Sequence, residues 1–192
     1  MLRVLILGSG DKDLYSNKVD YSTIQHLTES LLQNKTLTAL GLNRCSIGNE
    51  SQEGFKYIVE LIEQNKSINT LKLGATEMST PSACSIITSL NLNKKITYLD
   101  LSNNNLTHDV GDAFANILVK SNSLRVLLLK QNRLKKRGIE SLGKSLKLNK
   151  SLCVLDLQGN KMGDDGQAIA DILSENQTIT YLNLNNNHLQ QE

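Results

Sequence analysis

Apolar residues recur along the chain with a spacing that alternates between that of a strand and that of a helix. In the stretch ITYLDLSNNNL, which begins at Ile96, Leu99 and Leu101 lie two residues apart and therefore point to the same face of a strand. At intervals of 28, 28 and 27 residues, stretches of the same form begin at Leu124, Leu152 and Ile179. Weaker copies begin at Leu2, Leu37 and Ile68. The pattern predicts seven repeats, of which the first is degenerate.

The second half of each repeat has apolar residues at helical spacing. Ile24, Leu27 and Leu31 form one such stripe, and comparable stripes occur in the repeats that follow. Pro81 marks the start of one helix, where a missing amide proton costs little. A strand that pairs in parallel with its predecessor needs a crossover, and a helix is the usual one. The sequence therefore predicts an α/β fold with about seven parallel strands in one sheet and helices packed on it.

An amide or a thiol follows each regular strand at a fixed distance. The residues at this position are Asn104, Asn132, Asn160, Asn187 and Cys45. With them the repeats fit L-x-x-L-x-L-x-x-N/C-x-L, and the chain resembles the leucine-rich repeat family, in particular its ribonuclease-inhibitor-like class with 28-residue repeats. The resemblance implies a leucine-rich-repeat solenoid, a horseshoe segment with a curved parallel sheet on its concave face and helices on its convex face. Gly10 and Thr76 depart from the pattern, and we expect a less regular turn at Thr76.

We expect residues 1–192 to form a single domain. Residues 1–36 would hold the degenerate first repeat and an N-terminal cap, and residues 37–192 six further repeats with no obvious C-terminal cap. The C-terminal edge would then be covered by its own polar residues, by a partner or by self-association with a second copy, or the chain is a fragment. Gly138 and Gly166 each lie 14 residues into a repeat, where either a close approach of helices or a simple turn accounts for the missing side chain.

Composition narrows the classes of function and the compartment. With 21 basic and 19 acidic side chains the formal charge is +2, which gives no chain-wide attraction to nucleic acid or membranes. No apolar stretch approaches the ~18 residues of a membrane span, and residues 1–10 do not have the form of a secretory signal. Cys45, Cys84 and Cys153 suggest neither a disulfide framework nor a zinc motif. We expect a cytoplasmic protein, in a bacterium or, for a delivered effector, in the host cytosol.

The titratable residues predict no catalytic residue and no metal site. His26, His108 and His188 lie in the first, fourth and seventh repeats, so roughly 14 Å or more separates successive histidines. One zinc ion, about 2 Å from each ligand nitrogen, cannot reach two of them. Asp164 and Asp165 sit at a predicted helix start, where we expect them to cap amides instead of binding calcium.

The start of the chain raises the possibility of a nucleotide cofactor. A strand followed by Gly8-x-Gly10 is how a dinucleotide-binding unit opens. Asp13 stands in place of the third glycine and would repel a pyrophosphate, whereas Leu5 and Leu7 fit the register of the repeats. A degenerate repeat is the preferred interpretation, and we expect no cofactor.

Residues that flank the inward leucines should face outward on the sheet. In repeats four to seven these positions combine tyrosine and aliphatic side chains with charged and amide ones, as at the centre and rim of a protein interface. The predicted partner-binding residues are Tyr98, Asp100, Val126, Leu128, Lys130, Val154, Asp156, Tyr181 and Asn183. The leading hypothesis is a non-enzymatic module that binds an unidentified protein there, similar to cytosolic interaction proteins of its family, including bacterial effectors. The alternative, that valine and leucine merely suit strands, stays open.

A second local signal is basic, since nine of the 21 positive charges lie in the fifth repeat. Its densest part is a basic patch of Arg133, Lys135, Lys136 and Arg137. The patch predicts, as the alternative function, an adaptor for an acidic protein, an anionic phospholipid or RNA. Nucleic acid is the weakest of these, because no aromatic residue is interleaved for base stacking. A solvated charged rim is the simplest explanation of such a run.

Overall fold

Strands and helices alternate along the chain in the computed structural model, which describes residues 1–8, 17–48, 51–120, 122–163 and 166–189. The strands in this part of the chain are β1 (Val4–Ile6), β2 (Ala39–Gly41), β3 (Thr70–Lys72), β4 (Tyr98–Asp100), β5 (Val126–Leu128), β6 (Val154–Asp156) and β7 (Tyr181–Asn183). The helices are α1 (Tyr21–Gln33), α2 (Gly54–Gln64), α3 (Thr80–Ser89), α4 (His108–Leu118), α5 (Lys135–Leu146) and α6 (Gly166–Glu175). The predicted α/β repeat is therefore confirmed.

All seven strands form one parallel sheet whose order follows the chain from β1 to β7. Each strand pairs with the equivalent residues of the next, so that Leu71, Leu99 and Leu127 lie side by side. The first strand joins in the same register, with Val4 opposite Ala39. The degenerate first stretch is thus a genuine repeat.

The core lies between the sheet and the helices. Leu99 and Leu101 of the strand segment are completely buried, and so is Phe114 of α4. Burial of a leucine or phenylalanine side chain contributes roughly 1.5–3 kcal/mol, so the apolar stripe of each helix accounts for its position on the sheet.

In the described residues, the turn that follows each strand from β2 to β7 contains left-handed backbone. Asn103 and Asn105 have φ angles of 60° and 57°, and in the preceding repeat Ala75 and Glu77 have 55° and 60°. The turn at Thr76 is therefore as regular as its successor, and the expectation of a less regular turn was wrong. The reason is that the Thr76 hydroxyl donates a hydrogen bond of 2.9 Å to the carbonyl three residues before it, as an asparagine at this position does.

The start of α3 has the residues that its sequence predicts. Ser79 caps α3 by accepting a hydrogen bond from the Ser82 N–H at 3.3 Å, and Pro81 lies in the first turn, as predicted.

Helices α4 and α5 approach each other closely at two glycines. A Cβ atom added at Gly111 would lie 2.2 Å from the Gly138 carbonyl oxygen. A close approach of helices, instead of a simple turn, therefore accounts for the missing side chain at Gly138.

Candidate partner-binding surface

The register of the sheet places the predicted partner-binding residues on four adjacent strands. The first column consists of Tyr98, Val126, Val154 and Tyr181. The second column consists of Asp100, Leu128, Asp156 and Asn183. We call these eight residues, together with Lys130 two residues after β5, the sheet patch. Its members range from 52% exposed at Tyr181 to 7% exposed at Asp100, and the others are partly buried.

A cation lies close to the Tyr98 ring. The ammonium group of Lys72 lies 5.6 Å from the centre of the Tyr98 ring, within the range of a cation–π interaction. Burial, with a smaller effect of the Asp100 charge, raises the pKa of the Tyr98 phenol. The phenol therefore stays neutral and can donate a hydrogen bond at physiological pH. Lys72 was not among the predicted site residues.

Three polar members of the sheet patch stabilise the chain where it leaves the strand. Oδ1 of Asp100 accepts a hydrogen bond of 2.9 Å from the Ser102 N–H. In the sixth repeat, Oδ1 of Asp156 accepts a hydrogen bond of 3.0 Å from the Gln158 N–H. In the seventh repeat, Oδ1 of Asn183 accepts one of 3.1 Å from the Asn185 N–H. The recurrence of Asp or Asn at this position is the sequence signal for this local role, which the prediction of partner binding did not consider.

A recess of about 390 Å³ lies beside the sheet patch, at the ends of the strands of repeats two to six. We call it the strand-end recess. At the recess, Oδ2 of Asp100 accepts a 3.3 Å hydrogen bond from the side-chain amide of Asn43, which lies two repeats away. Gly74 lies between them, and a Cβ atom there would be 3.3 Å from the same Asp100 oxygen. The sequence prediction placed the binding surface in repeats four to seven, and it did not include the residues of repeats two and three that line this recess.

The basic patch lies around the start of α5, and all four of its side chains are exposed. Arg137 forms an ion pair with Asp112 of α4, with Nη2 3.1 Å from Oδ2. Lys136 has its Nζ 3.8 Å from Oε1 of Glu140 on the same helix. Two of the four cations therefore face a carboxylate within the chain, which reduces the positive charge available to an external anion.

A cluster of possible metal ligands occurs at the start of α4. One ligand atom from each of His108, Asp109 and Asp112 lies within 4.8 Å of the others. Asp112, however, accepts hydrogen bonds from Ser141 and Arg137 of α5. The Ser141 hydrogen bond and, to a lesser extent, the Arg137 charge lower the pKa of Asp112. The prediction considered the three histidines and the pair Asp164 and Asp165, and it missed this cluster, whose clearest structural effect is to join α4 to α5.

Two interpretations made from sequence fall largely outside the described residues. The proposed capping by Asp164 and Asp165 is one, and the loop after Gly8 is the other. Gly8 itself packs against the second repeat, since an added Cβ atom would lie 1.7 Å from the Asn43 carbonyl oxygen. Among the helices of the described residues, none has the length and apolarity needed to cross a bilayer.

Asparagines form two ladders along the repeats, and most of them are buried. The first ladder consists of the asparagines that recur after the strands, Asn104, Asn132, Asn160 and Asn187, and it is buried at the turns. A second ladder, at the ends of the helices, comprises Asn34, Asn65, Asn93, Asn149 and Asn176. In the second ladder the Asn65 amide donates to the Leu31 carbonyl at 2.8 Å, while its oxygen accepts from the Ile68 N–H at 2.9 Å. Sequence reasoning missed this ladder, although its signal, an asparagine three residues before the first apolar residue of a strand segment, is visible.

Comparison with known proteins agrees with this architecture. Two models described as leucine-rich repeat match residues 95–117 and residues 148–166 and 175–192. The chain is 32% identical over 168 residues to NACHT, LRR and PYD domains-containing protein 14 of Mus musculus, and 28% identical over 174 residues to Protein CARMIL of Dictyostelium discoideum. These alignments include 86% and 85% of this chain, but the chain spans only 16% of the length of either relative.

A solved structure shares the fold. The chain named Leiomodin-1 Actin-Binding Site 2 superposes with a TM-score of 0.64 at 20% sequence identity, covering 68% of this chain and 78% of that one. The repeats of this protein are leucine-rich repeats, arranged as an α/β solenoid with one open parallel sheet.

Proposed function

We propose that this protein is a non-enzymatic interaction module that binds a partner protein on the sheet patch. The observation that carries the proposal is the register of β4 to β7, which brings five tyrosine and aliphatic side chains into contiguous columns: Tyr98, Val126, Leu128, Val154 and Tyr181. Aromatic and aliphatic side chains with a polar rim are the usual composition of an interface centre. The leiomodin-1 domain of similar fold is named as an actin-binding site, which supports protein recognition as a use of such a solenoid.

The basic patch offers less support for a separate anion-binding adaptor. Arg137 and Lys136 each face a carboxylate of the chain, so Arg133 and Lys135 carry most of the charge that remains.

A cytoplasmic setting suits the protein, because its three cysteines are free thiols. Delivery as a bacterial effector rests on the family resemblance of the sequence, and the relatives reported above come from mouse and Dictyostelium.

Quantitative affinity capture from cell lysate tests the proposal. The variants Leu128→Glu and Tyr181→Glu each place a charge on the sheet patch without entering the core. The control Leu148→Glu makes the same change at a residue that is 63% exposed after α5, outside the patch. A partner identified by mass spectrometry should be depleted at least tenfold by both patch variants and retained by the control.

Titration calorimetry with the purified partner then separates binding from co-purification. Circular dichroism and the urea midpoint should show that all three variants fold like the wild type. A partner that binds the patch variants with unchanged Kd would overturn the proposal, as would one lost only in Leu148→Glu.

A further inference from the structure

The strand-end recess is a specific consequence of small residues in the third repeat. Gly74 and Ala75 occupy the positions at which the fourth repeat has Ser102 and Asn103. A side chain at Gly74 would fill the space and press on Asp100, because its Cβ atom would lie 3.3 Å from Oδ2 of that carboxylate. The glycine therefore keeps open a polar concavity that deepens the open face of the sheet.

The carboxylate in the recess is already satisfied by the protein. Its two oxygens accept hydrogen bonds from the Ser102 N–H at 2.9 Å and from the Asn43 amide at 3.3 Å. Asp100 is only 7% exposed, so little of it is accessible to an incoming group. A cationic ligand would have to compete with both internal donors, and Asp100 is therefore a structural part of the recess instead of its binding group.

Two cations line the recess and are not committed elsewhere. Arg44 comes from the second repeat and Lys130 from the fifth. Within the described part of the chain neither side chain has a hydrogen bond or an ion pair, and both are partly buried. Three strand spacings, roughly 14 Å, separate their backbones, so two long side chains can approach one ligand between them. Partial burial strengthens the attraction of each cation for an anion relative to bulk water.

We propose that the strand-end recess binds a carboxylate side chain of the partner protein, so that the partner contacts this surface through an acidic segment. The Arg44 guanidinium supplies paired N–H donors that match the two carboxylate oxygens, and the Lys130 ammonium supplies a second positive charge. Lys130 also belongs to the sheet patch, so the acidic segment would continue from the apolar contact surface into the recess. This inference rests on the proposed function and adds the chemical class of the partner.

Titration of the ¹⁵N-labelled full chain with small probes tests the recess without the partner. The probes are N-acetyl-glutamate N-methylamide, its neutral glutamine analogue, its lysine analogue and inorganic phosphate, followed in ¹H–¹⁵N correlation spectra. The glutamate probe should shift the amides of Arg44, Ser102, Asn103 and Lys130 saturably in the millimolar range. Arg44→Gln and Lys130→Gln should each weaken this binding at least fivefold, whereas Lys94→Gln, an exposed cation elsewhere, should not.

Several outcomes would overturn the inference. One is an equal response to the glutamate and glutamine probes; others are a response to the lysine probe in place of glutamate, binding of phosphate alone, and unchanged glutamate binding in well-folded Arg44→Gln and Lys130→Gln. Because these titrations contain no partner, their failure is distinguishable from failure of the capture experiment. Loss of a partner in Leu128→Glu with no glutamate binding would leave the proposed function standing and reject the acidic-segment proposal alone.

Discussion

The backbone N–H of Asn104 donates a 3.1 Å hydrogen bond to Oδ1 of Asn132 in the following repeat, and the side-chain amides of both residues donate to one carbonyl oxygen, that of Leu101. Asn132 also accepts from the Leu106 N–H at 3.0 Å. Its side-chain amide also donates to the Leu129 carbonyl of its own repeat at 2.9 Å, so one buried side chain satisfies backbone groups of two consecutive turns. The hydrogen bonds of the ladder therefore connect the turn of one repeat to the turn of the next.

Replacement of Asn132 by alanine should destabilise the protein by about 3 kcal/mol, because it leaves several buried backbone groups without a partner. The measurement is urea unfolding followed by circular dichroism. The control is Asn91→Ala, at an exposed position after α3, which should change the free energy of unfolding by less than about 0.5 kcal/mol. Equal effects of the two substitutions would contradict a role for the ladder.

Gly111→Ala should destabilise the protein by about 1–3 kcal/mol through overpacking, although alanine favours an isolated helix by about 1 kcal/mol over glycine. The added Cβ atom would lie 2.2 Å from the Gly138 carbonyl oxygen, so α4 and α5 must separate. Gly138→Ala should cost less, since its nearest contact, with the His108 Cα, would be 3.0 Å. Thermal and urea unfolding of both variants measure this order. A stabilised Gly111→Ala protein would show that the helices can move apart freely.

The thiol of Cys45 should not react with a thiol reagent in the folded protein at about pH 8, where an ordinary thiol with a pKa of about 8.5 does react. Cys45 is fully buried, and burial raises its pKa to about 11. The measurement uses a Cys84→Ser, Cys153→Ser double variant, in which Cys45 is the sole remaining thiol. Reaction should appear only after urea is added. Rapid reaction of the native double variant would place Cys45 at the surface.

The link between α4 and α5 should weaken in acid. Since the pKa of Asp112 is lowered from its ordinary value of 3.8 in the folded state, the stabilisation is complete above that value and is lost as the pH falls through the lower folded-state pKa. The free energy of unfolding between about pH 2 and pH 5 should therefore fall less steeply for Asp112→Asn than for the wild type. Glu77→Gln, which removes an exposed carboxylate, serves as the control. Identical slopes for wild type and Asp112→Asn would contradict the link.

The columns of the sheet patch were predictable because strand periodicity and a constant repeat length determine which residues become neighbours. Tyr98, Val126 and Val154 are each 28 residues apart, and the sheet pairs them directly. The degree of burial was not predictable in the same way. Asp100 was expected at the surface with Asp156, yet it is only 7% exposed, because Gly74 lets it lean across the third repeat towards Asn43.

The basic patch illustrates the same limit for charge. Arg137 appears in a run of uncompensated cations along the sequence. Its partner Asp112 lies 25 residues earlier and becomes a neighbour only when α4 and α5 pack side by side. Counting the charges along the sequence therefore overestimated the positive charge around α5.

The sequence by itself determined the α/β repeat, the parallel order of the strands, the inward leucines and the first asparagine ladder, because each depends on spacing along the chain. Only the tertiary structure decided that Asp100 bridges to Asn43, that Arg44 and Lys130 line one recess, and that Arg137 is paired. These relationships join different repeats through side chains that lean diagonally across the sheet or between helices. Their geometry depends on which neighbouring residue is small enough to leave space, and periodicity does not encode that property.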